Sequence, residues 1–240
     1  VTVMGSSAIV DFIVLGTLAV IAYSVKALDI KGIATAFLIG FAVLEFGGIY
    51  PFVALFLFMF LGILATKYRF DEKVRLGLAE SHRGIRSWGN VLGNGLAAVI
   101  FVVLEHYFRM DMLWAAVFSS ISTANADTLA SELGKVLGKK PRMITNFKEA
   151  QPGTNGAVSL QGEMASLLGA LVIAVLAVFV TPYKWQMLTA VTLGGFIGAN
   201  IDSLVGATLE NRGITNNDST NFLATFFGGI FGALLFYLTI

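Results

Sequence analysis

Residues 31–66 read KGIATAFLIGFAVLEFGGIYPFVALFLFMFLGILAT, and within this run only Lys31 and Glu45 are charged. A membrane crossing takes roughly 20 mostly apolar residues, so the run is too long for one helix. Gly47-Gly48-Ile49-Tyr50-Pro51 in its middle is a turn signal. The run therefore reads as two crossings, 31–47 and 50–66. The same criterion, carried outward, finds 6–26 before it and 90–107, 112–130, 159–180, 185–207 and 220–239 after it. The expected fold class is all-α: a polytopic integral membrane bundle of eight helices. The fourth segment opens with Asn90, Gly93, Asn94 and Gly95 and is polar for a span, so seven crossings stay an alternative.

Composition agrees with lipid as the solvent. Charged residues make up 13% of the chain and mean hydropathy is +0.80, whereas soluble domains carry about 25% charged residues. A length of 240 residues suits a single membrane domain, 1–240. The absence of cysteine excludes disulfides, thiolate metal sites and cysteine nucleophiles. A net charge of +1 gives no reason to expect a nucleic-acid partner. No basic stretch precedes the first apolar segment, which reads as a retained helix rather than a signal peptide.

Eight crossings put the loops after helices 1, 3, 5 and 7 on one side. Those loops hold 14 of the 16 basic residues; only Arg109 and Lys184 fall on the other side. The positive-inside rule then places those loops in the cytoplasm and both termini outside, in the cell membrane of a prokaryote. The longer polar loops, about 67–89, 131–158 and 208–219, lie on the same side, where polar substrates would meet the protein.

Two segments repeat. Ala124-Asn125-Ala126-Asp127-Thr128-Leu129 is echoed 75 residues later by Ala199-Asn200-Ile201-Asp202-Ser203-Leu204. Ile144-Thr145-Asn146 is echoed by Ile214-Thr215-Asn216, and Thr154-Asn155 by Thr220-Asn221. Asn90 and Asn94 resemble a worn third copy. The two copies sit on helices expected to cross in the same direction, giving a parallel repeat with units of about 112–180 and 185–240.

Each copy sets an Asn and an Asp near the end of a span. A carboxylate there is costly, faces the protein interior and points to function. Asp127 and Asp202, from two repeats, are candidate ligands for Mg²⁺, which typically takes one or two carboxylates together with substrate phosphates. On a straight helix Asn125 and Asp127 point in roughly opposite directions, as do Asn200 and Asp202. Either the helix unwinds there or each Asn packs against a neighbour while each Asp faces the site. Ser131, four residues after Asp127, shares its face. The Pro152–Gly156 loop supplies Thr154 and Asn155 before a helix N-terminus, a favourable place for an anion. The segment from Asn211 to Asn221 opens the last helix with Asp218, Ser219 and Thr220, which are also plain capping residues. Arg83 and Arg86 are phosphate-binding candidates, although basic residues at this depth also meet lipid headgroups. Lys139, Lys140 and Arg142 serve topology, Glu45 is structural, and paired glycines such as Gly194-Gly195 serve close helix packing. His82, in a basic loop, and His106, on the opposite side, are not counted as catalytic.

Ala126–Gly134 (ADTLASELG), Pro141–Thr145 (PRMIT), Pro152–Ser159 (PGTNGAVS) and Asp202–Glu210 (DSLVGATLE) together resemble the transmembrane protein 19 and phytyl-phosphate kinase family. The resemblance covers about residues 80–240. It implies phosphorylation of an isoprenoid monophosphate such as phytyl phosphate, and it extends distantly to CTP-dependent polyprenol kinases and CDP-lipid synthases, which use Mg²⁺. It implies Asp127, Asp202 and Glu132 as the catalytic and metal-associated acids. Asn155, Asp218 and Asn221 stand with them, and Asn90, Asn94, Asn125, Asn200, Ser131, Thr154, Arg83 and Arg86 are phosphate-binding candidates. Leu129 stands where the family often has Trp, and Asn155-Gly156-Ala157 where it often has Ser-Gly-Gly.

The function expected is a membrane prenyl-phosphate kinase, transferring a phosphoryl group from a nucleoside triphosphate, CTP by resemblance, to an isoprenoid monophosphate such as phytyl or geranylgeranyl phosphate. The alternatives are a CTP-dependent cytidylyltransferase making a CDP-lipid and an ion-coupled transporter.

Overall fold

The computed structural model of the chain describes residues 8–80 and 84–240. A helix stands at each of the eight expected positions: α1 Ala8–Ser24, α2 Ile30–Gly47, α3 Ile49–Lys67, α5 Trp88–Phe108, α6 Asp111–Leu137, α7 Leu160–Ala177, α8 Lys184–Thr208 and α9 Asn217–Thr239. A short α4, Phe70–Arg75, lies in the stretch expected as loop. Six of these helices (α2, α3, α5, α7, α8 and α9) are long and apolar enough to cross a membrane. The α5 helix is unbroken through Asn90, Gly93 and Asn94, so the half-broken fourth segment on which the seven-crossing alternative rested is not seen. The fold is all-α except for a two-residue antiparallel pair, β1 Arg142–Met143 with β2 Ala157–Val158, which pins the loop between α6 and α7.

The turns follow from local chemistry. Gly48 alone separates α2 from α3; its φ of 76° is costly for any residue with a side chain, and Pro51 sits in the first turn of α3, where no backbone donor is needed. Asp29, Ser159 and Asn216 cap α2, α7 and α9 by accepting from Gly32 N, Gly162 N and Ser219 N. Ser219 completes a capping box with Asn216.

The middle of the bundle is α6. Every residue from Ala115 to Ala126 on it is buried, and it packs against α3, α5, α7, α8 and α9. A helix enclosed on all sides by protein need not be apolar toward lipid, which is how Ser119, Ser120, Ser122, Thr123 and Asn125 can sit at membrane depth. The neighbours approach closely because they present glycine: a Cβ added at Gly195 would strike Ser122, one at Gly198 or Gly228 would strike Thr123, and one at Gly232 would strike Ser119. The outer faces of the bundle carry exposed Phe12, Leu38, Phe60, Leu168 and Leu238, as a lipid-facing surface requires.

The chain runs back and forth between two ends. The last turns of α3, α6 and α8 and the first turns of α5, α7 and α9 line common cavities at one end. The start of α2 joins them through a bridge between Leu28 and Arg86. Ring contacts Phe46–His106, Tyr50–Phe179 and Tyr183–Phe236 mark the opposite end. Exposed aromatics border both, with Tyr23, Tyr68 and Trp88 at the first end and Tyr107, Trp185 and Tyr237 at the second.

Candidate active site

Two polar cavities of about 360 Å³ each lie side by side at the first end. Asp127, Ser131, Glu80 and Asn217 line both, so one face of α6 forms the ridge between them. The first cavity is completed by Arg86, Asn90 and Asn94 from the start of α5, Asp218 and Asn221 from α9, and Glu132. The second is completed by Asp202 of α8, Thr154 and Asn155 of the Pro152–Ser159 loop, Glu163, Lys135 and Glu210.

The two readings of the Asn-x-Asp spacing are resolved by continuity of the helices. Both α6 and α8 run straight through the motif, so Asn and Asp point apart. Asn125 Nδ2 donates to Gly169 O at 2.8 Å, tying α6 to α7. Asn200 Nδ2 donates to Glu163 Oε2 at 3.1 Å and to Phe196 O at 3.0 Å. Neither lines either of the two polar cavities; among the described residues each ties its helix to α7 instead of facing the space where phosphate was expected. Arg83, a phosphate-binding candidate, and His82 lie outside the described residues.

Glu132 is also placed differently from its expected catalytic role. It borders the first cavity, but Oε2 accepts from Lys73 Nζ at 2.6 Å and Oε1 from Lys135 Nζ at 2.7 Å. With both oxygens engaged and the residue 3% exposed, it holds two ammonium groups in place. Lys73, carried inward by α4, also donates to Ala65 O and Thr66 O, the carbonyls left free at the end of α3. Lys135 reaches on to Glu80 Oε1 at 2.6 Å. Burial acts to raise the Glu80 carboxyl, but the charge and hydrogen bond of Lys135, a hydrogen bond with Glu132 and the charge of Arg86 outweigh it and hold the group below 4.5.

Asp202 Oδ2 is buried and has no hydrogen-bond partner among the described residues. A buried oxygen in that state calls for a cation, a donor or water. Asp218 is seated against α5 at two glycines: a Cβ at Gly89 would strike its carboxylate and one at Gly93 its backbone oxygen. Glu210 joins the halves of the site, accepting from Asn155 Nδ2 at 3.1 Å and Thr220 Oγ1 at 2.9 Å.

Sequence reasoning passed over Lys73, Glu80, Lys135, Asn217 and Glu210. For Lys135 and Glu210 a signal existed, since both belong to or adjoin the repeated motif. Lys73 and Glu80 gave none, because only α4 brings that loop back over the site.

Asp127 and Asp202 line one cavity and are hard oxygen donors, a set that suits Mg²⁺ shared with phosphate oxygens. Among the described residues no group of three or more His, Cys, Asp or Glu forms a closed metal cage.

Residues 13–229 match the family described as integral membrane protein DUF92. An uncharacterised membrane protein of Methanocaldococcus jannaschii, MJ0933, is 34% identical over 95% of this chain and 93% of its own length. The uncharacterised membrane protein sll0875 of Synechocystis is 33% identical over 85% of this chain and 80% of its own length. Protein VTE6, chloroplastic, of Arabidopsis thaliana is 30% identical over 88% of this chain and 66% of its own length. No solved structure matches. With membrane-length helices through the fold and a match covering nearly its whole length, the chain belongs to the integral membrane protein DUF92 family.

Proposed function

We propose that the protein is a membrane prenyl-phosphate kinase, whose site lies at the cytoplasmic end of the bundle. The observation that carries this reading is Asp127, shared by two adjoining polar cavities. Two phosphate-bearing ligands can sit on either side of one carboxylate, as phosphoryl transfer between them requires. Motif resemblance to the phytyl-phosphate kinase family supports the substrate class. The basic residues at this end, against Arg109 and Lys184 at the other, support the orientation.

In this reading the isoprenoid monophosphate occupies the first cavity, where Arg86 and Asn90 orient it. The nucleoside triphosphate, CTP by resemblance, occupies the second, between Lys135 and the Pro152–Ser159 loop. An oxygen of the lipid phosphate attacks the γ-phosphorus; the new P–O bond forms as the bond to the β–γ bridging oxygen breaks, and the nucleoside diphosphate leaves with that electron pair. A phosphate oxygen is already a competent nucleophile, so no strong general base is needed, and none of the described site residues is a histidine. Mg²⁺ held by Asp127 and Asp202 would neutralise charge on the phosphates. Lys135 stays beside the second cavity as an ammonium because Glu80 and Glu132 flank it. The protein's part is positioning and charge stabilisation.

The test is transfer from CTP, ATP, GTP or UTP to phytyl and geranylgeranyl monophosphates by purified protein with Mg²⁺. Wild type yields lipid diphosphate, and Asp127→Asn and Asp202→Asn each lose about 100-fold or more. CDP-lipid and pyrophosphate as products would make it a cytidylyltransferase. Absence of turnover in folded protein, with substrate flux across vesicles, would make it a transporter.

A further inference from the structure

A third cavity differs in kind from the two polar ones. Leu18 and Ala19 of α1, Ala36 of α2, Leu55 and Met59 of α3 and Val91 of α5 wall it, and hydrocarbon dominates its surface. Arg86, Asn90 and Asn94 also line it, and these same three side chains line the first polar cavity. An apolar space between membrane helices thus meets a polar space at one guanidinium.

That guanidinium is fixed in place and forms no ion pair among the described residues. Arg86 N donates to Ala27 O at 3.0 Å and Arg86 O accepts from Asp29 N at 3.1 Å, so its backbone is held against the start of α2. Its side chain lies over the Phe58 ring, 5.4 Å from the centroid, and against Gly62, where a Cβ would sit 2.6 Å from Nη2. Among the described residues it forms no hydrogen bond or ion pair through its side chain; the carboxylates of Glu132, Glu80 and Asp127 act on it only through space. An arginine held this way presents its fork to an anion, and phosphate fits that fork.

We propose that the cavity between α1, α2, α3 and α5 seats the single hydrocarbon chain of a lipid monophosphate whose phosphate is held by Arg86. The ligand that fits both spaces has one apolar tail and one compact anion. Among the described residues the apolar space that joins the polar site is walled as one compartment, which seats a single chain beside the phosphate. The exposed apolar flanks of α1 and α2, including Phe12, Val20 and Leu38, border this region and give a tail a route in from the bilayer. The identity of the phosphate rests on the kinase reading; the tail site rests on its own residues.

The experiment is photolabelling without nucleotide, using geranylgeranyl monophosphate with a diazirine at the end of its tail. The label is expected on peptides of α1, α2 or α3, and Ala19→Phe and Ala36→Phe, on two different helices, each reduce it about tenfold. Arg86→Gln reduces it as well. Isopentenyl monophosphate, which has the phosphate and almost no tail, competes weakly, and its weak binding is unchanged in Ala19→Phe and Ala36→Phe, which also reports that both fold. Labelling elsewhere in the bundle, or labelling indifferent to both substitutions, overturns the proposal. Phosphatidic acid competing as well as geranylgeranyl monophosphate overturns the single-chain assignment. Labelling as expected with no phosphoryl transfer leaves the tail site standing and removes the kinase, whereas transfer with the label elsewhere does the reverse.

Discussion

Lys73 Nζ lies 2.6 Å from Glu132 Oε2, the lysine fully buried and the glutamate 3% exposed. The pair joins α4, a six-residue helix on the connection after α3, to the central α6. Removing one partner of a buried pair leaves the other charge uncompensated, a cost of about 3–5 kcal/mol. Lys73→Met additionally frees the Ala65 and Thr66 carbonyls that Lys73 now bonds. Lys73→Met is therefore expected to lower the thermal unfolding midpoint in detergent more than Glu132→Gln, which keeps Lys73 on those carbonyls. Equal midpoints for wild type and Lys73→Met would show that α4 does not stabilise the site end.

The next link outward, Lys135 to Glu80, gives a pH dependence. The Glu80 carboxyl is held below its ordinary 4.5, so the unfolded chain takes up the proton first as pH falls. The contribution of Glu80 to stability is then fully present above 4.5 and is lost as pH drops through the depressed value. Glu80→Gln should unfold at a lower temperature than wild type near neutral pH, and the gap should close as pH falls below 4.5. Half of the Glu80 side chain is exposed, so the gap is small and shrinks further in high salt. A gap that widens on acidification would contradict the assignment.

Much of this arrangement is legible in the sequence because membrane helices announce themselves by length and hydropathy. The Gly47–Pro51 turn and the six helices long and apolar enough to cross a membrane follow from that signal alone. The Asn-x-Asp repeat also marks which helices meet, and helical periodicity already separates Asn125 from Asp127 and Asn200 from Asp202. Periodicity cannot say which of the two faces the ligand. That depends on where α7 lies, and Asn125 is claimed by Gly169 O. Glu132 looks catalytic beside Asp127 because the two lysines that occupy it come from outside the motif, Lys73 by tertiary folding of α4 and Lys135 one turn onward. Arg86 as the meeting point of a polar and an apolar space is a property of six helices together and leaves no trace in local sequence.

Close packing on α6 yields a stability prediction. A Cβ at Gly195 would strike Ser122 Oγ and lie 2.7 Å from Ser122 Cβ. Gly195→Val must push α8 away from α6 or force Ser122 aside, and overpacking of this kind costs about 1–3 kcal/mol. Because the obstacle is chiefly one side chain, Ser122→Gly added to Gly195→Ala should recover part of the loss from Gly195→Ala alone, measured as the unfolding midpoint. Additive losses in the double variant would place the obstacle in the backbone.

Gly156 separates backbone strain from site geometry. It sits at φ +78°, beside Ala207 of α8 and with a would-be Cβ 2.7 Å from Ser203 O, while its own carbonyl accepts from Ile144 N at 2.9 Å. These contacts hold the Pro152–Ser159 loop against α8 one residue from Asp202. Gly213 has a similar φ of +70° with nothing near its missing Cβ. Alanine at either position imposes about 1–2 kcal/mol of left-handed strain, but only at Gly156 does the added methyl lever the loop off α8. On the proposed kinase reading, Gly156→Ala is expected to lower phosphoryl transfer about tenfold or more, as displacement of positioning groups does, whereas Gly213→Ala lowers the unfolding midpoint by a comparable amount and leaves that transfer unchanged. Equal loss of transfer in both variants would mean that strain alone, rather than the seating of the loop beside Asp202, accounts for the effect.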